Sequence, residues 1–265
     1  MTTYLDAVLD AHRRRAAADR RDPAAVASEA RSAGGARPFA AALRGGGLSV
    51  IAEVKRRSPS LGDIAPGLSA SATAAAYANG GASCLSVLTD SEFFGGSPAD
   101  LAEARSAVGL PVLRKDFTVS ALDVCDARLL GADAVLLIVA ALDDPDLGSF
   151  LALAGEVGLD ALVEVHDEAE LERALSAGAT LVGVNQRDLV TFEVDTDRAV
   201  RVGRHMPDDV VKVAESGVRG PDDARRLADA GFDAVLVGES LVRSDDPAAA
   251  VRALCRAGVP APAAG

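Results

Sequence analysis

Cysteine is scarce in this sequence and follows no pairing pattern. The three residues, Cys84, Cys125 and Cys255, lie far apart and form no CxxC motif. Disulfide-stapled domains and cysteine metal sites need more cysteines at short, regular spacings. The sequence therefore argues against both classes, and it predicts that the three thiols are reduced and mostly buried.

Long apolar runs are also missing. No stretch reaches the roughly 18 apolar residues that a membrane helix needs. Asp6 and Asp10 interrupt the first segment, where a signal peptide would carry its apolar region. We therefore expect a cytoplasmic protein without a membrane partner.

Basic residues are outnumbered by acidic ones. The chain has 27 Lys and Arg against 39 Asp and Glu, which gives a net charge of -12 at pH 7. A surface of this sign repels nucleic acid and anionic membranes. An anionic ligand must therefore be held by a local basic site. A small phosphorylated substrate meets that condition, and nucleic acid does not.

The rest of the composition is that of an ordinary globular protein, with 49% hydrophobic residues. A chain of 265 residues is long for one core, yet barrels reach this length as one domain. We expect a single domain over 1–265, with an N-terminal helical extension at 1–48, a barrel at 49–255 and a disordered tail at 256–265. The oligomeric state stays open at this point, and a monomer is favoured.

One unit recurs along the chain: a helix-like stretch ends at glycine, and an apolar run begins two or three residues later. Glycine stops a helix in the left-handed conformation, and a continuous apolar run suits a parallel strand covered on both faces. With four further runs, this predicts eight strands, at 49–54, 84–88, 111–114, 134–138, 161–165, 181–184, 211–214 and 234–237. Eight alternating units favour an α/β fold, the (βα)8 TIM barrel, over an open sheet.

A helix is predicted at 4–20, before the first strand. Leu5, Val8, Leu9 and His12 share one stripe of it. Two placements fit this helix: an appendage that covers the barrel bottom, or a lid near the active-site mouth.

Polar side chains cluster where the predicted strands end, and these ends carry the catalytic groups in a barrel of this kind. Alternation along the first strand puts Glu53 and Lys55 on the same face as Ile51. Other strand ends carry Lys115, Glu164, His166, Asn185, Arg187, Glu215 and Glu239. A single charged strand end is as often a solvated loop start, but five with mixed sign predict an active site.

Lysine usage singles out two of these positions. Among the 27 basic residues only Lys55, Lys115 and Lys212 are lysine. Guanidinium stays protonated at any working pH, whereas a desolvated lysine can give up a proton. Lys55 and Lys115 at strand ends therefore indicate acid–base chemistry, and Lys212, near the start of a strand, is interpreted as structural.

The predicted phosphate site depends on backbone more than on side chains. Ser216-Gly217 follows the seventh strand, and Gly238-Glu239-Ser240 follows the eighth. Barrels commonly hold phosphate in these loops through exposed N–H groups. A bulky residue at Gly238 is therefore expected to raise KM with less effect on kcat. The sequence has no P-loop and no dinucleotide fingerprint.

Metal and serine-nucleophile chemistry have no pattern to support them. His12, His166 and His205 are isolated from one another and from acidic residues at metal-ligand spacing. There is no nucleophile elbow either. We expect no metal site.

Five segments together resemble indole-3-glycerol phosphate synthase: IAEVKRRSPS at 51–60, LSVLTD at 85–90, FFGGS at 93–97, PVLRKDF at 111–117 and VAESG at 213–217. The similarity covers roughly residues 4–255. Enzymes of this family convert 1-(2-carboxyphenylamino)-1-deoxyribulose 5-phosphate to indole-3-glycerol phosphate, with loss of carbon dioxide and water and without a cofactor.

The resemblance implies a role for each matching residue. Lys115 is then the general acid of ring closure, Glu164 and Lys55 serve dehydration, and Glu53 positions Lys55. Asn185 binds substrate and intermediate, Arg187 pairs with the substrate carboxylate or supports Asn185, and Ser58 lies near the anthranilate end. Glu215 is counted among the substrate-binding residues, and the phosphate is held at Ser216, Gly217, Gly238 and Ser240.

Two positions depart from the family pattern. Gln186 stands where a small or amide residue is usual, and its side chain is expected to point away from the barrel interior with little effect. Leu61 occupies a loop position often taken by lysine, which would weaken loop closure or phosphate attraction.

Two alternative functions remain beside this one. A phosphoribosylanthranilate isomerase-like barrel would use a Cys or Asp acid–base pair, against which Glu53 and Lys55 argue. A non-catalytic barrel that binds a phosphorylated metabolite would have lost its acids, and here every expected acid and base is present.

Overall fold

Strands and helices alternate through residues 3–58 and 62–258, which the computed structural model describes. The strands in these ranges are β1 (Ser49–Val54), β2 (Arg57–Ser58), β3 (Gly62–Asp63), β4 (Cys84–Leu88), β5 (Val112–Lys115), β6 (Ala134–Ile138), β7 (Asp160–Val165), β8 (Leu181–Asn185), β9 (Val211–Glu215) and β10 (Ala234–Val237). The helices are α1 (Tyr4–Ala18), α2 (Pro23–Ser32), α3 (Phe39–Ala42), α4 (Ala70–Gly80), α5 (Ser91–Phe94), α6 (Pro98–Ala107), α7 (Ala121–Leu129), α8 (Asp144–Glu156), α9 (Glu168–Ser176), α10 (Arg198–Gly203), α11 (Pro221–Asp229), α12 (Glu239–Val242) and α13 (Pro247–Ala257).

The eight long strands close into a barrel, which confirms the predicted (βα)8 fold. Neighbouring strands are β1-β4-β5-β6-β7-β8-β9-β10, and β10 pairs back to β1. All of these pairings are parallel. The short strands β2 and β3 form a separate antiparallel pair in the loop after β1.

Strand bounds agree with the prediction to within a residue or so, and the differences lie mostly at polar ends. β5, β8 and β9 each run one residue further than predicted, to Lys115, Asn185 and Glu215, and β7 begins one residue earlier, at Asp160. An apolar pattern ends before such residues, whereas the backbone pairing of the barrel continues through them. The first helix ends at Ala18 instead of residue 20, because Asp19 is extended.

The barrel core is apolar below the polar strand ends. Buried side chains from all eight strands fill the interior, among them Ile51, Cys84, Leu113, Leu136, Leu162, Leu181, Val213 and Leu236. Alternate residues of the same strands pack outward against the helices. Both faces of each strand are therefore covered, which explains the continuous apolar runs in the sequence.

The N-terminal extension closes the bottom of the barrel through α3. Phe39 and Leu43 are fully buried and pack against the barrel interior. The backbone N–H of Ala40 donates to Asp160 Oδ2 at 2.9 Å, and Asp160 is the first residue of β7. These contacts place α3 at the N-terminal ends of the strands.

The other end of the barrel is bordered by α1. His12 Nε2 lies 3.0 Å from Asp90 Oδ2 in the loop after β4, and Arg13 donates to the carbonyl of Ala141 after β6. The Tyr4 ring packs edge-on against Phe192 in the loop after β8, with the ring centroids 5.4 Å apart. The extension therefore places α3 below the barrel and α1 beside its mouth, and a lid role for α1 stays a prediction.

Three further expectations concern the C-terminal tail, Leu61 and the three cysteines. The predicted tail at 256–265 lies mostly outside the described residues, and its first two residues complete α13. Leu61 also lies outside them. The cysteines are free as predicted, with Cys84 and Cys125 buried and Cys255 partly exposed.

Candidate active site

A cavity of about 430 Å³ opens at the C-terminal ends of the barrel strands. Every residue to which the sequence analysis gave a catalytic or binding role lines it: Glu53, Lys55, Ser58, Lys115, Glu164, Asn185, Arg187, Glu215, Ser216, Gly217, Gly238 and Ser240. The parallel barrel accounts for this meeting, because it brings the C-terminal ends of all its strands to one rim.

Lys115 lies at the centre of the charged groups. Its Nζ donates to Glu164 Oε2 at 2.9 Å and to Glu215 Oε2 at 2.8 Å. Both carboxylates are almost completely buried, so the ammonium is held by two charge-assisted hydrogen bonds in a poorly solvated place. The side chain has little freedom to move from this position.

The protonation of Lys115 differs from the sequence-based interpretation. Burial lowers the pKa of a lysine, but the charges of Glu164, Glu215 and Glu53 outweigh burial and raise the pKa of Lys115 above its ordinary value. Desolvation alone does not decide the charge here. In the free protein Lys115 is therefore a firmly protonated ammonium, ready to donate a proton to a more basic atom.

The two carboxylates beside Lys115 have different pKa values. Burial would raise the pKa of Glu164, but Lys115, His166 and a hydrogen bond from Asn185 lower it to about 2. Burial raises the pKa of Glu215 to about 7, with Lys115 opposing the shift and Glu164 adding to it. Two close carboxyls that share one cation are expected to separate in this way. Near neutral pH, Glu164 is therefore charged and Glu215 is partly protonated.

A second ion pair lies on the other side of the cavity. Lys55 Nζ lies 2.7 Å from Glu53 Oε1. The other oxygen of Glu53 accepts from Ser86 Oγ at 3.3 Å. Lys55 and Lys115 together outweigh burial and keep the pKa of Glu53 below its ordinary value. Glu53 is therefore an anion that pairs with the Lys55 ammonium.

Asn185 links Glu164 to the loop after β8. Its Nδ2 donates to Glu164 Oε1 at 3.0 Å, and its Oδ1 accepts the backbone N–H of Arg187 at 3.0 Å. Arg187 extends over the cavity and lies 3.8 Å from Glu239 in an ion pair. His166, a strand-end residue to which the sequence analysis gave no role, lies 3.6 Å from Glu164 Oε1.

The loops after β9 and β10 form the other end of the cavity. Ser216 and Gly217 both have left-handed backbones, with φ of 63° and 76°. Ser240 Oγ donates to the carbonyl of Val218 at 3.1 Å, so this hydroxyl secures the loop. Two arginines that the sequence did not single out, Arg219 and Arg243, also line this end and supply positive charge.

A family profile described as indole-3-glycerol phosphate synthase matches residues 5–254. The chain belongs to the indole-3-glycerol phosphate synthase family. A protein of that name from Mycobacterium ulcerans is 50% identical over 260 residues, covering 97% of this chain and 95% of that one. Another, from a Nocardioides species, is 57% identical over 210 residues, covering 79% of this chain and 81% of that one.

Among solved structures, thiamine phosphate pyrophosphorylase from Pyrococcus furiosus is similar in fold, with a TM-score of 0.60. The two share 16% sequence identity, over 81% of this chain and 96% of that one. At this identity the likeness concerns the barrel alone. Membership of the indole-3-glycerol phosphate synthase family rests on the sequence relatives, and it leaves the isomerase-like and non-catalytic alternatives without support.

Two glycines of the site lie directly against its carboxylates, where a larger residue would not fit. A Cβ at Gly183 in β8 would collide with Glu215 Oε1, and one at Gly238 would lie 2.5 Å from Glu53 Oε1. The sequence did not single out Gly183, although a glycine inside a strand often marks a close approach. Its place beside Glu215 depends on the register between β8 and β9.

His12 is not isolated in the folded chain, contrary to the impression from its sequence spacing. It meets Asp90 at 3.0 Å and Asp116 at 3.9 Å, and the three offer ligand atoms within 4.8 Å of one another. Arg15 and Arg114 already pair with the two carboxylates, at 3.2 and 3.0 Å. We therefore interpret the cluster as the contact that docks α1.

No helix in the described part of the chain is long and apolar enough to span a membrane.

The docking of α1 gives a first prediction. Removal of residues 1–20 deletes α1 and spares α2, whose Val26 and Ala30 are buried. We expect a folded barrel with kcat/KM lowered about tenfold, the equivalent of about 1.4 kcal/mol, because the mouth loses its cover. Steady-state kinetics and circular dichroism check this. Full activity in the truncated protein would show that α1 is not a lid.

Gly238 gives a second prediction, which changes the one made from sequence. Because a Cβ at this position meets Glu53, Gly238→Ala is expected to disturb the Glu53–Lys55 pair as well as the loop after β10. We expect KM to rise and kcat to fall about 10- to 100-fold, the usual cost of a misplaced catalytic group. A raised KM with unchanged kcat would restrict the effect to phosphate binding.

Glu215 gives a third prediction, on stability. Its pKa of about 7 in the fold exceeds the ordinary 4.5, so the folded state binds this proton more tightly than the unfolded state does. The resulting stabilisation is complete below about pH 4.5 and is lost as the pH rises through about 7. Glu215→Gln should therefore raise Tm at about pH 8, by roughly 2–4 °C per kcal/mol gained.

The same comparison at about pH 5 should give a smaller gain, since wild-type Glu215 is then protonated. Glu239→Gln, which removes a more exposed carboxylate of the same rim, serves as the matched control at both pH values. An equal or larger Tm gain at the lower pH would contradict the raised pKa of Glu215.

Proposed function

We propose that this chain converts 1-(2-carboxyphenylamino)-1-deoxyribulose 5-phosphate to indole-3-glycerol phosphate, releasing carbon dioxide and water. One observation carries the proposal: a half-buried ammonium, Lys115, is held between Glu164 and Glu215 in a cavity that also contains the Glu53–Lys55 pair. This arrangement matches a reaction that needs several proton transfers and no redox step. The proposed steps use side chains of the chain alone, with no cofactor and no metal.

Ring closure is the first step that this geometry supports. The aromatic carbon that bears the carboxylate attacks the ketone carbon, and negative charge develops on the ketone oxygen. We assign Lys115 as the general acid that donates its proton to this oxygen, because it is protonated, lines the cavity and is held by two hydrogen bonds. Glu215, with a pKa of about 7, is within hydrogen-bond reach to return a proton to Lys115.

The electron pair of the broken bond to carbon dioxide restores the aromatic six-membered ring, and dehydration then forms the double bond of the new ring and completes the indole. Dehydration needs an acid for the departing hydroxyl and a base for a ring proton. We assign these transfers to Lys55 and Glu164. Glu164 becomes a stronger base once Lys115 has given up its proton, since the charge that lowers the pKa of Glu164 is then gone.

The substrate is proposed to lie across the cavity with its phosphate at the loops after β9 and β10. Backbone N–H groups at Gly217 and Gly238 would hold the phosphate, with Ser216 and Ser240 shaping the loops. Ser58 and two aromatic side chains, Phe94 and Phe117, line the cavity for the anthranilate ring. Arg187 at the rim is the proposed partner of its carboxylate or of Asn185.

The remaining proposals concern partners and location. We propose a cytoplasmic protein that works as a monomer, with a small phosphorylated substrate and with neither nucleic acid nor a membrane as partner. In support, each group assigned above comes from one chain, and the net charge of -12 opposes polyanions. The single domain over 1–265 proposed from sequence is supported by the contacts of both α1 and α3 with the barrel.

The direct test is to incubate the purified protein with the synthetic substrate and follow the indole chromophore by absorbance and fluorescence. We expect turnover without added metal or cofactor, and far slower turnover in Lys115→Met. Absence of indole formation by a folded, wild-type protein would refute the proposed function.

A further inference from the structure

Gln186 lies directly behind the loop proposed to hold phosphate. Its side chain is buried, and its Nε2 donates to the backbone carbonyl of Ser216 at 2.7 Å. Its backbone N–H donates to the carbonyl of Glu215 at 3.0 Å. The residue therefore ties the end of β8 to the turn that follows β9, a contact that the sequence-based expectation of little effect did not include.

The Ser216 carbonyl and the Gly217 N–H belong to the same peptide unit. A trans peptide is planar, and its C=O and N–H groups are directed to opposite sides. A donor that fixes the Ser216 carbonyl on the Gln186 side therefore fixes the Gly217 N–H on the other side. Gly217 lines the cavity, so that direction is the one in which an anion can be bound.

This peptide unit needs an external hold. Ser216 has φ of 63°, and Gly217 has φ of 76°. The left-handed region is unfavourable for a residue with a Cβ, so Ser216 gains by any relaxation that takes it out of that region. The hydrogen bond from Gln186 to the Ser216 carbonyl opposes this relaxation.

The amide of Gln186 is engaged on one side only. Among the residues that the structure describes, its Oε1 is buried without a hydrogen-bond partner. A buried amide oxygen without a hydrogen-bond partner costs free energy. The side chain is therefore not buried because all its polar atoms have partners. The bond to Ser216 is the interaction that accounts for its position.

We infer that Gln186 is a positioning residue for phosphate: it holds the Ser216–Gly217 peptide so that the Gly217 N–H faces the anion. This inference rests on the proposed function, because it concerns the phosphate end of that substrate. Gln186 does not touch the reacting atoms, so its loss should act on binding and spare the chemical step.

The test uses Gln186→Met, which keeps the size of the side chain and removes the donor, beside Gln186→Ala, which removes both. In each variant we expect KM to rise about tenfold, as for a lost hydrogen bond that orients a donor to a charged group, with kcat within a few-fold of wild type. The inhibition constant of inorganic phosphate should rise by a similar factor. A measurement of Tm identifies any variant that has lost its fold. The test of Gln186 then depends on the variant that remains folded.

Unchanged KM and phosphate affinity in a folded variant would overturn the inference. So would a fall in kcat with KM unchanged, because Gln186 would then serve the chemical step. Titration calorimetry of wild type and both variants with inorganic phosphate keeps this test separate from the proposed function. If wild type binds phosphate but makes no indole, the proposed function fails while the variants still decide the part that Gln186 plays.

Discussion

Lys115→Arg should lower kcat by about 10²–10⁴, the usual contribution of a positioned general acid, while affinity for the product changes only a few-fold. Arginine keeps the positive charge between Glu164 and Glu215 but cannot release a proton near neutral pH. The variant therefore separates proton donation from charge. Stopped-flow measurement of indole formation, with product affinity from titration, gives both quantities.

Lys115→Met completes this comparison, since it removes the charge as well as the proton. If Lys115 acts as an acid, both variants should be similarly poor. A Lys115→Arg enzyme within about tenfold of wild type, beside an inactive methionine variant, would show that Lys115 works through its charge. The general acid would then have to be sought elsewhere, first at Lys55.

Glu164→Gln should also lower kcat by about 10²–10⁴, because the amide cannot accept the proton that dehydration releases. The pKa of Glu164 is about 2, so the wild-type side chain is charged across the working range. The loss should therefore be nearly independent of pH between about pH 6 and 9. A pH–rate series on both proteins measures this.

Glu170→Gln is the matched control for Glu164→Gln. Glu170 accepts from His166 at 3.0 Å and touches neither lysine of the site, so its variant should keep kcat within a few-fold. Accumulation of a decarboxylated, still hydroxylated intermediate in Glu164→Gln would support the dehydration role. Wild-type kcat in Glu164→Gln would assign the base to another residue.

The sequence was sufficient to predict the barrel and a set of polar residues that meet at one cavity, and the reason is physical. Parallel strands covered on both faces require continuous apolar runs, and the ends of these runs are where polar groups can lie. Glu53, Lys55, Lys115 and Glu164 are therefore visible as polar interruptions at regular places along the chain.

What the sequence could not predict depends on register and on contacts between distant segments. The choice of Lys115 over Lys55 as partner of Glu164 and Glu215 follows from how the barrel closes. The raised pKa of Lys115 follows from three carboxylates that lie far apart along the chain. His12 and Asp90 are 78 positions apart, so no local pattern connects them.

Gln186 illustrates the same limit on a smaller scale. Alternation along a strand predicts which way its side chain leaves β8, but the carbonyl that it meets belongs to the turn after β9. That turn is unusual only in its backbone, where Ser216 is left-handed. A serine before a glycine does not predict a left-handed backbone at the serine, since only the glycine, Gly217, would be expected to adopt that conformation.

A crystal structure of Lys115→Met with the intact substrate bound is the most direct test of how this site works. It should show phosphate oxygens within hydrogen-bond distance of the Gly217 and Gly238 backbone nitrogens, and the ketone oxygen beside the position that Lys115 Nζ occupies in wild type. A phosphate bound outside the loops after β9 and β10, or a ketone oxygen beyond reach of that position, would contradict the proposed mechanism.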